Sequence, residues 1–326
     1  MPVWNVKNIL EWAINYFSCK EVPQPRLSAE LLLGSVLGLD RVNLYLNYNR
    51  VLNNQELATY KKYILERLEH TPIQYILNEA YFRKIKLYVD EKVLIPRPET
   101  ELIVDKVFQI LKDSLNKREI DIPGKDKINI LEIGTGSGAI AISLANEILD
   151  ELKVSGKVPG ELTDEFPEEL WEIVATDNDS SVLDIAERNA HSILNNNKFN
   201  KIKFIKCDIV PAEDSDFFKK HAGGFKIIIS NPPYISEKDY ENLPREVKKY
   251  EPKNALLGGE TGLEIYERIL NKIKPYINQE FCYILFEIAP LISTPLEKMS
   301  KDILKPSLIK VDKDYNGRER VMIIKI

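Results

Sequence analysis

Apolar residues in the first 75 positions recur every three or four residues, which is the spacing of one helix face. Two of these runs contain Ile9, Leu10, Ala13, Ile14 and Phe17, and Leu27, Leu31, Leu32, Val36 and Leu37. A third run begins at Asn53, where Glu56 lies at the spacing of a capping box, and Pro72 is predicted to end it. The pattern predicts a small bundle of helices.

The apolar spacing changes to a period of two between residues 80 and 95. The apolar positions of this stretch are Phe82, Ile85, Leu87, Val89, Val93 and Ile95. Alternation with polar residues predicts a short β-hairpin. We therefore predict three parts, which are a helical N-terminal domain over residues 1–78, a hairpin linker over 79–98 and a larger domain over 99–326.

Four strand-like runs in the larger domain, at 128–133, 171–176, 203–207 and 227–229, are each followed by glycine or polar residues, and the last run is apolar throughout. Strands that are apolar along nearly their whole length are typical of parallel sheets covered on both faces. Such α/β domains bind their ligands at the carboxyl ends of the strands. The candidate site residues should therefore directly follow these four runs.

A glycine-rich segment follows the first of these strands and precedes a helical run from Ala139. It consists of Gly134, Thr135, Gly136, Ser137 and Gly138. Glycines allow positive φ and a close approach of backbone to ligand, and a strand, a glycine loop and a helix in that order are the context of a nucleotide site. The segment has neither a GxGxxG pattern nor a Gly-Lys-Ser/Thr ending. It is therefore predicted to hold a group other than phosphate.

Two acids follow the next strands. Asp177 could accept hydrogen bonds from both hydroxyls of a ribose. It lies 43 residues after Gly134, against about 20 in the dinucleotide fingerprint. We interpret the acidic segment 150–169 as an insertion and assign it no function. Asp208 could accept a hydrogen bond from an adenine amino group, and a solvated turn acid is the equal alternative. The predicted ligand carries an adenosine.

The fourth strand leads directly into Asn231, Pro232, Pro233 and Tyr234. The prolines have fixed φ and no N–H, and the residue before a proline is pushed toward an extended conformation. This tetrad is therefore predicted to form a rigid corner that offers an amide oxygen, main-chain carbonyls and an aromatic face. That set suits a planar, weakly nucleophilic NH₂ group. Ordinary turn chemistry is the alternative for Asn-Pro-Pro taken alone.

Composition narrows the class of protein. A net charge of -5 and a pI near 5.6 lower the expectation of a nucleic-acid partner. The three cysteines and three histidines lack disulfide or metal-ligand spacing, so we predict neither disulfides nor a metal. The N-terminal residues lack the regions of a signal peptide, and no apolar run approaches the ~20 residues of a membrane span. The sequence predicts a cytoplasmic protein with no membrane contact, and an organelle is the alternative.

The motifs together resemble the release factor glutamine methyltransferases of the HemK/PrmC family, which are class I S-adenosylmethionine-dependent enzymes. Besides the glycine loop, Asp177 and the tetrad, the resemblance rests on segments 71–76, 95–101, 251–263 and 317–321. It runs from about residue 10 to the C-terminus in the order of the family. Ile209, where the family often carries a tryptophan, and residues 286–290 depart from the family pattern.

The resemblance implies a Rossmann-like domain with a mostly parallel seven-stranded sheet. It also implies transfer of a methyl group from S-adenosylmethionine to the side-chain nitrogen (N5) of the glutamine in the Gly-Gly-Gln motif of a peptide chain release factor. By the resemblance, residues 134–138, Asp177 and Asn231 contact the cofactor, and tetrad residues 231–234 bind the glutamine. The helical domain would engage the release factor. No direct, specific contact with nucleic acid is expected.

Two other classes of protein would share these motifs. An adenine or cytosine amino methyltransferase acting on DNA or RNA needs the same contacts to an exocyclic NH₂ group, and it flips its target base. Such an enzyme should carry a basic groove or a target-recognition domain, and the sequence indicates neither. The other class is a binding module that keeps the fold without catalysis. The intact glycines and tetrad argue against it.

Overall fold

The structure is a computed structural model, and its chain divides into two compact units. The first comprises Met1–Glu79 with Leu243–Glu251, and the second comprises Ala80–Asn242 with Pro252–Ile326. The structure describes residues 4–117, 127–154, 171–213, 215–221, 223–278 and 280–326.

The helices and strands are numbered in chain order over these described residues. The helices are α1 (Val6–Cys19), α2 (Pro25–Leu37), α3 (Arg41–Leu46), α4 (Asn54–Leu68), α5 (Ile73–Leu77), α6 (Glu101–Asn116), α7 (Ala139–Val154), α8 (Ser180–Ile193), α9 (Asn196–Phe199), α10 (Asp216–Lys220), α11 (Glu237–Tyr240), α12 (Arg245–Tyr250), α13 (Glu264–Lys272) and α14 (Ser293–Leu304). The strands are β1 (Ala80–Phe82), β2 (Ile85–Leu87), β3 (Ile128–Ile133), β4 (Trp171–Asp177), β5 (Ile202–Lys206), β6 (Ile227–Ser230), β7 (Ile235–Ser236), β8 (Leu257–Gly259), β9 (Tyr283–Glu287), β10 (Leu308–Lys313) and β11 (Glu319–Lys325).

The first unit is a helical bundle, as the apolar spacing predicts. Its helices bury their apolar stripes against one another, with Phe17, Leu33 and Tyr60 fully inside. The predicted capping box is present at the start of α4, where Asn53 and Glu56 each accept the other's main-chain N–H at 2.9 Å. The prediction that Pro72 ends this helix was wrong. The helix ends four residues earlier, and Pro72 instead precedes the first turn of α5.

A buried arginine explains why residues 243–251 belong to the helical unit. Arg67 is only 3% exposed, and its guanidinium donates to the carboxylate of Glu246 on α12 at 2.9 Å. It also donates to the side chain of Ser28 and to the main-chain oxygens of Pro23 and Thr71. A buried guanidinium must find acceptors for its five donors, and the α12 segment supplies the only carboxylate among these contacts.

The second unit is built on a sheet with the strand order β10-β11-β9-β6-β3-β4-β5. Strands β9, β6, β3, β4 and β5 run parallel, and β11 is antiparallel to both of its neighbours. This confirms the predicted fold, a Rossmann-like domain with a mostly parallel sheet of seven strands. Chain order reverses between β3 and β6, which is where open α/β sheets bind ligands.

The central strands are buried as their composition predicts. Ile227, Ile228 and Ile229 of β6 are fully inaccessible to solvent because helices cover both faces of the sheet. Strand β6 pairs with β3 in register, with Ser230 opposite Ile133. The Ser230 hydroxyl donates to the main-chain oxygen of Ile133 at 2.8 Å. The residues after these two strands therefore leave the sheet at the same level.

The hairpin predicted between the domains is shorter than its alternating pattern. Strands β1 and β2 have three residues each and pair through Phe82 and Ile85. Val89, Val93 and Ile95 are buried but not part of a strand. The hairpin groups with the second unit, and the division into three functional parts stays a prediction.

Two predictions from the sequence can be followed only in the part of the chain that the structure describes. Most of the acidic segment 150–169 lies outside the described residues, because helix α7 is followed to Val154 and the description resumes at Trp171. In the part of the chain that the structure describes, every helix is too short or too polar to cross a bilayer.

The capping box should contribute measurably to the stability of the helical unit. We expect Asn53→Ala to lower the free energy of unfolding by about 1 kcal/mol, because the first turn of α4 loses an acceptor for one of its free N–H groups. The matched control is Asn54→Ala, one position further on at an exposed site inside the helix. Urea unfolding of both variants measures the difference, and equal stability would contradict the capping role.

Candidate active site

A cavity of about 210 Å³ opens at the carboxyl edge of the sheet in the second unit. The segments that line it follow four parallel strands, and part of the wall comes from residues 92–100. The predicted site residues along its wall are Gly134, Thr135, Gly136, Ser137, Asp177, Asp208, Asn231, Pro232 and Pro233. Gly138 and Tyr234 are not part of the lining. The structure therefore brings the glycine loop and the start of the tetrad to one cavity.

The three glycines of the loop have different surroundings. All have positive φ, at 74° for Gly134, 56° for Gly136 and 82° for Gly138. A side chain on Gly134 or Gly136 would meet no atom within 4 Å, whereas one on Gly138 would lie 2.7 Å from the side chain of Ile142 and 3.3 Å from that of Ala186. The first two glycines thus keep the cavity side of the loop open. Gly138 lets helices α7 and α8 pack closely.

The main-chain N–H groups of the loop are mostly used within the protein. Gly134 and Thr135 both donate to the main-chain oxygen of Thr176 at 2.9 Å, and Gly138 donates to Thr135. Gly136 donates to the Asp177 carboxylate at 3.2 Å. A phosphate-binding nest needs free N–H groups that converge on the anion. The loop instead has a carboxylate beside it, which agrees with the prediction that it does not hold a phosphate.

Glu132 is a buried acid beneath the loop that the sequence analysis did not single out. It is 1% exposed, and one of its carboxyl oxygens accepts from the Thr135 hydroxyl at 2.8 Å and from the Ala141 N–H at 3.2 Å. Burial raises the pKa of Glu132 to about 8, despite the opposing effect of these hydrogen bonds. The only acid of strand β3, two residues before the glycine loop, was the signal that could have identified it.

The two predicted acids differ in their environment. Burial raises the pKa of Asp177, although hydrogen bonds from main-chain N–H groups oppose the shift. Asp208 is about half exposed and pairs with Arg268 at 2.8 Å and Lys272 at 2.6 Å, and its hydrogen bond from Lys272 is the main cause of its lowered pKa. Asp177 therefore has acceptor oxygens beside the loop, whereas those of Asp208 are engaged by cations on α13.

Ile209 adopts a backbone conformation that is unusual for a β-branched residue. Its φ is 75°, and the N–H of Val210 reaches back to the main-chain oxygen of Asp208 at 3.1 Å to close a three-residue turn. The buried Thr176 hydroxyl donates to the Ile209 oxygen at 2.8 Å and holds the turn. Ile209 lines the cavity, at the position where the resemblance leads one to expect a tryptophan.

The tetrad is anchored to residues that are distant in sequence. The Asn231 side-chain N–H₂ donates to the Thr100 hydroxyl at 3.3 Å, and Thr100 donates to a Glu287 carboxyl oxygen at 2.6 Å. The Tyr234 hydroxyl donates to the other oxygen of Glu287 at 3.2 Å. Thr100 and Glu287 are both buried, and the sequence analysis assigned a role to neither. A lone acid within the apolar strand β9 was the available signal.

Two glycines allow the strand β8 region to press against the back of the tetrad. A side chain on Gly258 would lie 2.6 Å from the main-chain oxygen of Pro233, and one on Gly262 would fall well inside contact distance of the Tyr234 oxygen. Gly262 also has a positive φ of 82°. This packing gives a physical reason for the glycines in segment 251–263.

Asn189 ties the glycine loop to the segment that precedes the cavity wall. Its buried carboxamide accepts from the Tyr88 N–H at 2.8 Å and donates to the Tyr88 oxygen at 3.0 Å. It also donates to the Ser137 main-chain oxygen at 2.9 Å. These hydrogen bonds hold two parts of the wall together through one side chain of helix α8.

Comparison with known proteins decides the family. The release factor glutamine methyltransferase of Chlorobaculum tepidum is 39% identical over 267 residues, which are 82% of this chain and 80% of the relative. The chain belongs to the release factor glutamine methyltransferase family. The corresponding protein of Rhodopirellula baltica is 30% identical over 98% of this chain and 95% of its own. The chain is thus a methyltransferase.

Two family models each match a part of the chain. Residues 8–77 match the family described as PrmC N-terminal domain. Residues 149–287 match the family described as Eco57I restriction-modification methylase. Among solved structures, the N-terminal domain of human METTL16 in complex with SAH is 16% identical, with a TM-score of 0.44 over 73% of this chain and 74% of that one.

The residues around the cavity fit S-adenosylmethionine, the methyl donor of this class of enzyme. Gly134 and Gly136 leave the loop open where a side chain would fill the cavity. The acid that contacts the loop, Asp177, supplies acceptors that suit hydroxyl groups and a cationic ligand better than a phosphate. Ile133 and Val182 add apolar wall. These residues and the Asn231 side chain would hold the donor.

The raised pKa of Glu132 has a consequence for stability. Between pH 4.5 and about 8 the folded chain holds a proton on Glu132 that the unfolded chain releases, so the free energy of unfolding should fall as the pH rises through this window. Urea unfolding at pH 6 and pH 8 measures the fall. We expect Glu132→Gln, which stays neutral, to show a smaller fall, with the remainder due to other buried acids such as Glu287 and Asp177.

The control for this measurement is Glu260→Gln, which removes an exposed carboxyl group from the same unit. In this variant the free energy of unfolding should fall between pH 6 and pH 8 by as much as in the unmodified protein. An equal decline in Glu132→Gln would mean that Glu132 is ionised in the folded state at pH 6.

Packing behind the tetrad can be tested at Gly262. We expect Gly262→Ala to lower both stability and methyl transfer, because the new methyl group would displace the main chain at Tyr234. The control is Gly317→Ala, which has a comparable φ of 75° and no atom within 4 Å of the added carbon. Thermal unfolding and turnover of the two variants separate the steric effect from backbone strain, and equal losses would argue against tight packing.

Proposed function

We propose that this chain transfers a methyl group from S-adenosylmethionine to the side-chain nitrogen of the glutamine in the Gly-Gly-Gln motif of a peptide chain release factor. The observation that carries the proposal is that the glycine loop and the tetrad residues Asn231, Pro232 and Pro233 line one cavity. A donor on the loop and a carboxamide on the tetrad would then lie side by side. The names of relatives that span nearly the whole chain support this choice of substrate.

The chemical difficulty lies in the acceptor. An amide nitrogen is a poor nucleophile because its lone pair is delocalised into the carbonyl group. Bound S-adenosylmethionine supplies a methyl group that its sulfonium already activates, so the work left to the protein is orientation and electrostatics. The Asn231 side-chain oxygen and the Pro232 main-chain oxygen accept the two N–H protons of the glutamine. They turn its lone pair toward the methyl group and offset the positive charge that builds on nitrogen.

We assign to Tyr234 the stacking that holds the plane of the glutamine amide, which requires the glutamine to reach beyond the cavity lining, because Tyr234 is not part of it. Its hydroxyl donates to Glu287, and burial is the main cause of its raised pKa, so the ring stays neutral. Transfer breaks the bond between the methyl carbon and sulfur, so that S-adenosylhomocysteine is the second product, and the extra proton of the methylated amide leaves to water. Asp177 holds the ribose hydroxyls of the donor. We assign the adenine amino group to Asp208, which lines the same cavity and keeps its ion pairs with Arg268 and Lys272.

We assign engagement of the release factor to the helical unit, residues 1–79 with 243–251. Several large apolar side chains of this unit are exposed, among them Trp12, Val42 and Leu46. Trp12 stacks on Tyr16, with ring centroids 5.1 Å apart. Exposed aromatic and apolar side chains are typical of protein-binding surfaces. Residues 8–77 also match the PrmC N-terminal domain family.

The alternative is methylation of an exocyclic amine on DNA or RNA, which needs the same grip on an NH₂ group. The family match that points to it, at residues 149–287, covers less than half of the chain. The relatives named for release factors cover 82% and 98% of it. The glutamine substrate is therefore the better supported one.

A transfer assay tests the substrate and the role of Asn231 together. Labelled donor is incubated with a release factor, or with DNA or RNA, and the Gly-Gly-Gln peptide is analysed by mass spectrometry. We expect a single added methyl on the glutamine and no label on nucleic acid. Label on nucleic acid alone would establish the alternative activity.

In the same assay we expect Asn231→Ala to lose roughly 100–1000-fold in turnover, the scale of removing one preorganised polar group. Binding of S-adenosylmethionine, measured by calorimetry, should be retained in part. The matched control is Asn271→Ala, at an exposed site on helix α13 where the side chain donates to the Glu267 main-chain oxygen and accepts from Lys274. Near-normal turnover of Asn231→Ala would rule out the role of its oxygen.

A further inference from the structure

The side chain of Asn231 is held by a chain of hydrogen bonds that ends on a buried carboxyl group. Asn231 contacts the Thr100 hydroxyl at 3.3 Å, and this hydroxyl contacts a Glu287 oxygen at 2.6 Å. The Tyr234 hydroxyl occupies the second Glu287 oxygen at 3.2 Å. Glu287 is 1% exposed and Thr100 5%. The two anchors lie 131 and 56 residues from Asn231 along the chain, so only the tertiary fold brings them together.

The hydroxyl of Thr100 fixes the direction of this chain because it has a single proton to donate. An ionised Glu287 carboxylate can only accept, so that proton is committed to Glu287. The hydroxyl then has only lone pairs left for Asn231, and it can accept only from the side-chain N–H₂. The amide oxygen of Asn231 must therefore point away from Thr100.

We infer that Thr100 and Glu287 are positioning residues that select which end of the Asn231 amide faces the glutamine carboxamide. The inference rests on the proposed function. With the oxygen of Asn231 toward the substrate, that oxygen can accept a proton of the glutamine N–H₂. With the amide reversed, two N–H₂ groups would face each other, and neither has an acceptor to offer.

Protonation of Glu287 would remove this selection. A carboxylic acid can donate its proton to Thr100, whose own proton is then free to point at the oxygen of Asn231. The reversed chain would place the N–H₂ of Asn231 against the substrate. Turnover should therefore follow the ionised form of Glu287 and rise with pH through the pKa of this group.

The groups that face Glu287 come from each element packed around it. Burial raises its pKa and the negative charge of Glu99 adds to that rise. The hydrogen bonds from Thr100 and Tyr234 and the positive charge of Arg320 oppose it. The buried Tyr266 hydroxyl donates to the main-chain oxygen of Glu287 at 2.5 Å and so helps to fix the end of β9.

The test compares Thr100→Val with Thr100→Ser. Valine has nearly the shape of threonine without the hydroxyl, whereas serine keeps the hydroxyl. We expect the valine variant to lose about 10–100-fold in kcat on a release factor, by analogy with the loss seen when the hydrogen-bond partner of a metal ligand is removed. The kcat of the serine variant should stay close to that of the unmodified protein. Calorimetry should show that all three proteins bind S-adenosylmethionine, with a loss of affinity in the valine variant no larger than in Asn231→Ala, and thermal unfolding checks that all are folded.

The pH profile of kcat supplies a readout that loss of packing would not change. Neither the glutamine carboxamide nor the sulfonium titrates between pH 5 and 9, so at saturating donor and substrate the rising limb reports protein groups. We expect this limb in the unmodified protein and its loss in Thr100→Val. A limb that persists in the valine variant belongs to Glu132 or Asp177 instead and overturns the role of Glu287.

The remaining outcomes separate the two hypotheses. An active unmodified protein with an equally active Thr100→Val overturns the positioning role and leaves the proposed function intact. If the unmodified protein binds S-adenosylmethionine but methylates no release factor, the proposed function is wrong. The positioning role, which rests on that function, is then wrong as well. A serine variant as slow as the valine variant would show that the site needs the methyl group of Thr100, not its hydroxyl.

Discussion

The pairing of strands β3 and β6 is the constraint on which the candidate site depends. The two strands run parallel in register, with Ile133 opposite Ser230, and the Ser230 hydroxyl bonds to the Ile133 oxygen at 2.8 Å. The next residues, Gly134 and Asn231, therefore begin the donor loop and the acceptor corner at one level of the sheet. A register shift of one residue would turn every side chain of β6 to the opposite face and remove Asn231 from the cavity.

Two buried carboxyl groups support the two halves of the site in a similar way. Glu132 at the end of β3 accepts from the hydroxyl of Thr135 beside the donor loop, and Glu287 at the end of β9 accepts from the hydroxyl of Thr100 beneath the tetrad. In both cases burial opposes ionisation and the threonine hydroxyl favours it. The protein thus places one buried carboxyl group at the end of a sheet strand beside each half of the candidate site.

Much of the fold could be predicted from the sequence, because the decisive signals are local. Strand β3 has the predicted bounds, the capping box at Asn53 is present, and the glycine loop follows its strand directly. Thr100 and Glu287 could not be predicted in the same way. Their contacts join residues 53 to 187 positions apart, and no spacing rule connects them. The turn at Ile209 was not predicted for another reason, because a positive φ is not expected of a β-branched residue.

The route of the chain also bears on how members of the family can exchange parts. Because Glu246 of the 243–251 segment neutralises the buried guanidinium of Arg67, the helical unit is not a contiguous stretch of sequence. A chimera that replaces only residues 1–79 keeps the recipient's α12 and can leave Arg67 as a buried charge with no counterion, which costs several kcal/mol. Recombination between relatives should therefore carry both stretches as one module.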